Sequence, residues 1–190
     1  MNILKSKNGL IFIFFSGLLM FTSCVINIKG WKVDYDKLNE EDMKMVVITN
    51  PAEKICNLKN DNRIYAIQAQ QLVECLNLSD STLIYDWSAN CHSESCISIP
   101  ACQKYCAEHG LKLVVISEYY DPEIMRIQNF ADLPIFVPNH IYYKTEKCSK
   151  LNSRFFNEVF QGKRPGGEHK YSRFHVFYKG KYVRSISKLL

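Results

Sequence analysis

The chain has 190 residues, 47% hydrophobic and 13% aromatic, enough apolar side chain to bury a core and too much for an intrinsically disordered protein. Its formal net charge is +5, from 24 Lys and Arg against 19 Asp and Glu. An excess this mild, with no basic stripe interleaved with aromatics, excludes a nucleic-acid partner.

Lys5 and Lys7 make a short basic start, LIFIFFSGLLMF runs apolar from Leu10 to Phe21, and Thr22, Ser23 and Cys24 end it. The run is too short to span a bilayer and fits the apolar core of a secretory signal peptide. Small residues directly before a cysteine resemble the bacterial lipobox, with Phe21 where that motif usually has Leu. The resemblance implies cleavage before Cys24 and palmitate-type acylation of that cysteine. Each buried methylene of such chains contributes about 0.8 kcal/mol, so lipid can tether a protein without a spanning helix. VINIKG, directly after Cys24, lacks the acidic run that marks surface export in some bacteria. The expected location is the bacterial cell envelope, on the periplasmic side of a membrane.

Residues 1–23 are thus expected as signal peptide, 24–36 as a membrane-proximal spacer, and 37–190 as one domain with its core at 82–190. The 167 residues left of 190 suit a single core, and the loss of Lys5 and Lys7 lowers the charge from +5 to +3. Beyond Cys24 stand Cys56, Cys75, Cys91, Cys96, Cys102, Cys106 and Cys148. Outside the cytoplasm they can be oxidised, and an odd number leaves at least one thiol unpaired within a monomer.

NEEDMKMVVI carries a helix-start pattern from Asn39 that fades into a β-branched run. IYAIQ (64–68) reads as a strand, AQQLVECL (69–76) as a helix with Leu72, Cys75 and Leu76 on one side, and TLIYDW (82–87) as a buried strand. A helix is expected from Cys96 to His109, closed by Gly110. LKLVVIS (111–117), apolar without alternation, suits a strand covered on both faces. Asp121 and Pro122 open another expected helix, DPEIMRIQNF. PIFVP (134–138) is a short strand, CSKLNSRFFNEVF (148–160) a helix with Leu151, Phe155 and Val159 on one side, and KRPGGEHK a loop. RFHVFYKGKYVRSI reads as a hairpin turning at Lys179-Gly180, with Phe174, Val176 and Tyr178 on one face.

Parallel strands with crossover helices followed by an antiparallel hairpin make a mixed central sheet flanked by helices, an α/β three-layer fold. Four features carry a family resemblance over residues 82–190. Trp87 stands four before Cys91 after the first strand, Pro100 falls early in the next helix, LVVIS leads to YYDPE, and FYKGKYV forms the last hairpin. The span resembles the thioredoxin-like superfamily, especially its extracytoplasmic, membrane-tethered redox members. The resemblance implies protein thiols or disulfides of the envelope as partners, no cofactor, and Cys91 and Cys96 as the working residues.

A cysteine at a helix N-terminus meets unpaired N–H groups and the positive end of the dipole, which favour thiolate. Cys91 and Cys96 enclose His92, Ser93, Glu94 and Ser95, where the superfamily usually has C-x-x-C. A disulfide needs Cβ atoms about 4 Å apart, which this spacing permits if Cys91 ends a loop and Cys96 begins the helix. Three chemistries remain open. In thiol-disulfide exchange, Cys91 attacks and Cys96 resolves; the proline these enzymes carry before the last hairpin is replaced by Tyr171 and Ser172. In a peroxidase, CHSESC resembles the C-T-x-E-x-C of peroxiredoxin Q, with Glu94 matching and Ser88 in place of Thr; Ile84 replaces a proline, and Arg173 is only near the expected arginine. In the Sco copper-binding family, two cysteines and a histidine eleven residues before the hairpin glycine hold copper; Cys91, Cys96 and His169 are the counterparts here, and their chemistry suits that metal.

The other cysteines and histidines read as structural. Cys102, Cys106 and Ile99 make an apolar helix stripe, the cysteines about 6 Å apart at Cβ and too far to bond. Cys75 is expected in the core, and Cys56 or Cys148 could join a structural disulfide. His175 is expected on the solvent side of its strand, and Glu94 and Ser95 as helix caps. A non-catalytic binding lipoprotein on the same fold is the remaining alternative.

Overall fold

A computed structural model describes residues 31–91, 93, 96–122, 133–163 and 165–189. Expectations on Cys24, His92, Glu94 and Ser95, and on most of DPEIMRIQNF, lie outside the described residues. Seven strands form one mixed sheet: β1 (Val46–Ile48), β2 (Ile64–Ile67), β3 (Ser81–Trp87), β4 (Lys112–Ser117), β5 (Ile135–Pro138), β6 (Phe174–Tyr178) and β7 (Lys181–Ile186). Their order is β1-β2-β5-β4-β3-β6-β7. The first five run parallel, and β6 and β7 are antiparallel additions on the β3 side.

The helices are α1 (Glu40–Lys44), α2 (Ala69–Asn77), α3 (Ile99–Glu108), α4 (His140–Tyr143) and α5 (Cys148–Val159). Among them, α3 packs on β4, while α2 and α5 pack together. The fold is therefore α/β with three layers, as the strand and helix order implies. Residues 83–85 and 113–116 are buried, because a sheet covered on both sides has no wet face for alternation to report. Tyr85 stacks on Phe174 at 4.6 Å between centroids, whereas Phe177 stacks on Phe160 at 5.7 Å.

Local signals fix the element ends. Asn39 caps α1, its side chain accepting from the Asp42 N–H at 2.8 Å. The buried Gln71 accepts the Gln68 N–H at 2.9 Å and donates to the Asn50 and Glu53 carbonyls, tying α2 to the loop after β1. At the last turn Lys179 and Gly180 both have positive φ, and a Cβ on Gly180 would lie 1.8 Å from Asn77 Oδ1. That turn therefore needs glycine for space as well as conformation.

Four sequence expectations change. Helix α3 begins at Ile99, with Ser98 as its cap, rather than at Cys96. Pro100 suits the first turn because its missing N–H would have no helical acceptor there. Residues 31–36, placed in the spacer, are packed: Val33 is fully buried, donates to the Glu146 carbonyl at 2.8 Å and accepts from the Tyr120 N–H at 3.1 Å. His175 is 4% exposed rather than solvent-facing, bonded to Ser185 Oγ at 2.8 Å and enclosed by Phe156 and Phe160. In the hairpin, Tyr178 is exposed although Phe174 on the expected face is buried, and Phe177 on the opposite face is buried because it stacks on Phe160. Among the described residues no helix is long and apolar enough to cross a membrane.

Candidate active site

The carboxyl end of β3 passes through Ser88, Ala89 and Asn90 to Cys91, and Cys96 leads through Ile97 and Ser98 into α3. Cys91 and Cys96 are joined as a disulfide, with Cα atoms 5.9 Å apart and both residues half-buried. Two short turns make this possible. The Cys91 N–H donates to the Ser88 carbonyl at 3.1 Å, and the Cys96 N–H donates to the Ser93 carbonyl at 2.9 Å. Because α3 starts only after Cys96, neither cysteine is held to helical spacing, which would point the side chains apart. Ser93 Oγ lies 3.3 Å from each sulfur, so one exposed hydroxyl touches both ends of the bond.

Two tyrosine hydroxyls anchor the loop, one on either side. The Asn90 backbone N–H and side-chain amide both donate to Tyr119 Oη, at 3.2 and 2.7 Å, fixing the entry to Cys91. The fully buried Tyr85 donates its hydroxyl to the Ile97 carbonyl at 2.8 Å, fixing the exit from Cys96. Burial pushes the Tyr85 phenol up to about 12, so it remains a donor across the physiological range. Arg173 Nη1 donates to the Asp86 carbonyl at 3.0 Å and lies 3.5 Å from Glu118 Oε1, while the Asp86 N–H donates to the Arg173 carbonyl at 2.8 Å. The ends of β3, β4 and β6 are thereby locked together behind the cysteines.

The remaining cysteines divide as brace and packing. Cys75, expected only as a core residue, is bonded to Cys56 with Cα atoms 5.1 Å apart, which ties α2 to the turn at Ile55–Asn57. Sequence spacing carries no pairing signal for it. Cys102 and Cys106 are free and buried on α3, as their stripe implies. The Cys102 thiol is held far above its ordinary value by its hydrogen bond with Cys106 and by burial, so it stays protonated. Burial likewise pushes the buried free Cys148 thiol up to about 12, with Glu118 and Asp34 adding to the effect.

Among the described residues no three His, Cys, Asp or Glu side chains gather as metal ligands, and Cys91, Cys96 and His169 are not brought together. His169 lies in the turn Gly167–His169, its Nδ1 3.5 Å from Ser187 Oγ. Arg173, the residue nearest the peroxidase pattern, is turned to the Asp86 carbonyl and Glu118. Tyr171 and Ser172 help to line a cleft of about 380 Å³ that reaches Asp86 and His175.

Ser93, Tyr85 and Tyr119 did not emerge from the sequence as site residues. Their roles depend on where the loop turns, which local sequence does not report. No family model matches this chain, and no curated protein or solved structure is significantly similar to it.

Proposed function

We propose that the protein is a thioredoxin-like, membrane-anchored thiol-disulfide oxidoreductase of the bacterial cell envelope, with Cys24 as its lipidated anchor. The observation that carries this reading is the half-buried Cys91–Cys96 disulfide between the end of a central parallel strand and the start of the following helix. The order of β4, β3, β6 and β7, with β3 parallel to β4 and antiparallel to β6, supports the same reading.

In the reduced protein, the Cys91 thiolate attacks one sulfur of a partner's disulfide. A mixed disulfide forms, and the partner's other sulfur leaves as a thiolate. The Cys96 thiolate then attacks Cys91 sulfur, closing the intramolecular bond and releasing the partner's second thiolate. Two electrons pass to the partner, and a dithiol partner returns them by the reverse steps. Ser93 Oγ can donate a hydrogen bond to whichever of the two sulfurs carries charge, because it reaches both.

Differential alkylation with mass mapping across a glutathione titration tests this. A reversible Cys91–Cys96 bond with a potential between about −120 and −270 mV, the range of exchange catalysts, is the expected result. A bond locked below about −300 mV, as structural bridges are, sinks the exchange mechanism.

A further inference from the structure

Seven residues after Cys24 stands an exposed aromatic. Trp31 is 63% exposed, with Lys147 Nζ 5.1 Å from its ring centroid. Lys32 bridges to Lys147 in antiparallel fashion, and the Trp31 carbonyl accepts the Cys148 N–H at 3.2 Å, so the segment is seated on the start of α5. Directly before that start, α4 exposes Ile141 (56%) and Tyr142 (51%). Lys32, Lys144, Lys147 and Lys150 are exposed in the same stretches, against Glu146, which Lys32 meets at 3.3 Å.

We propose that this patch is a membrane-docking face that seats on an anionic phospholipid surface, with Trp31, Ile141 and Tyr142 entering the headgroup layer and the lysines meeting lipid phosphates. The proposal rests on the reading of Cys24 as the lipid anchor. Seven residues reach roughly 25 Å at full extension, so an anchored Cys24 keeps Trp31 within reach of the headgroups. Exposed Trp and Tyr favour that layer because an apolar ring ends in a polar group, and juxtaposed lysines are drawn to an anionic leaflet. The acyl chains on Cys24 and a basic, aromatic face then act together as two membrane signals.

The face also orients the disulfide. Helix α4 follows β5 at its carboxyl end, Val33 caps the exit from β4 at Tyr120, and Cys91 follows the carboxyl end of β3. Strands β5, β4 and β3 are consecutive in the sheet, so their ends lie within about 10 Å at the usual strand spacing. A chain docked through the patch would present its disulfide close to the bilayer surface, to partners that lie in or at the membrane.

The full chain, purified with its acyl group, is reconstituted into vesicles of phosphatidylglycerol with brominated phosphatidylcholine. Trp31 and Trp87 are the two tryptophans, and Trp87 is 2% exposed, so quenching by bromine reports Trp31. The expected result is an emission loss of about two-fold with a blue shift, absent in Trp31→Phe and strongly reduced in Lys144→Glu/Lys150→Glu. Unquenched Trp31 overturns the proposal; so does equal quenching in vesicles of phosphatidylcholine alone, or in the double lysine variant. Mass spectrometry of the Cys24 peptide in the same sample reports the anchor separately. If Cys24 carries no lipid, the same chain is added to the vesicles from solution: quenching there supports the face without the anchor, and none overturns it.

Discussion

Replacing each disulfide by two alanines would cost the fold unequal amounts of stability, and the order distinguishes a brace from an exchangeable bond. In the chain-entropy description, a crosslink removes −2.1 − 1.5R ln n cal/mol/K from the unfolded chain. With the sequence separation of 19 for Cys56–Cys75, this gives about 3.2 kcal/mol at room temperature. With the separation of 5 for Cys91–Cys96, it gives about 2.1 kcal/mol. Burial widens the gap, since Cys75 is 7% exposed and its truncation empties space beside Leu72, whereas Cys91 and Cys96 are half-buried. Urea unfolding of the oxidised chain should show Cys56→Ala/Cys75→Ala losing about 3–4 kcal/mol and Cys91→Ala/Cys96→Ala about 2 kcal/mol or less. Slopes must be compared with midpoints, because a chain without a crosslink exposes more surface on unfolding. If the Cys91/Cys96 variant loses as much as the other, that bond is a structural brace and the exchange reading loses its basis.

Ser93→Ala should leave stability within about 0.5 kcal/mol, since the hydroxyl is exposed. It should nevertheless raise the pH at which the reduced pair is half-alkylated; an unchanged alkylation profile would remove Ser93 from the site. Tyr85→Phe leaves the Ile97 carbonyl without its 2.8 Å donor and should cost about 1–3 kcal/mol by urea unfolding, with faster reduction of the Cys91–Cys96 bond; unaltered reduction would mean the anchor does not govern the loop. His140 is buried, with Tyr120 Oη 3.1 Å from its Nδ1 and the Tyr35 ring tilted against it at 4.7 Å between centroids, and burial lowers its pKa despite the opposing pull of Glu146 and Asp36. The unfolded chain therefore binds this proton more readily, so stability is complete above the ordinary histidine value near 6.5 and falls as pH drops through that value towards the folded one. His140→Gln should flatten this part of the stability profile, and a profile identical to the parent chain would refute the assignment.

The parallel part of the sheet was legible because its strands are apolar on both faces: LVVI and TLIY, short, β-branched and without alternation, suit a covered sheet. Helix ends at Asn39 and Gly110 and the Lys179-Gly180 turn were legible because capping and positive φ are local demands. The Cys91–Cys96 bond was readable as feasible, since four residues can close it only outside a helix. What escaped is non-local. Cys56 meets Cys75 because a turn after β1 folds onto α2, and no spacing rule reports that. His175 sits where strand alternation would expose it, but α5 covers that face with Phe156 and Phe160. Likewise, the spacer reading of residues 31–36 failed to foresee that Val33 would fill a place between Tyr120 and Glu146.

In the proposed reading, thiol chemistry and membrane docking share one edge of the molecule. Parallel strands deliver their carboxyl ends to the same side, where connections to the next helix must turn and backbone groups are freest to meet a partner. Here β3 delivers Cys91, the exit from β4 delivers Glu118 and Tyr119, and β5 delivers α4. Arg173, just before β6, ties the first two together through Asp86 and Glu118, and residues 31–33 tie the exit from β4 to the start of α5. The Cys91–Cys96 loop is short and its Ser93 is exposed, while Tyr85 and Tyr119 hold its two ends from within the fold. Such a loop can change redox state without moving its supports, because the groups that fix it bond to backbone and amide atoms and not to the sulfurs. Ser93 Oγ reaches both sulfurs, and it belongs to the loop. An exchange site needs that separation: a rigid frame set by burial, and a small reactive turn whose bond can open at little cost to the rest.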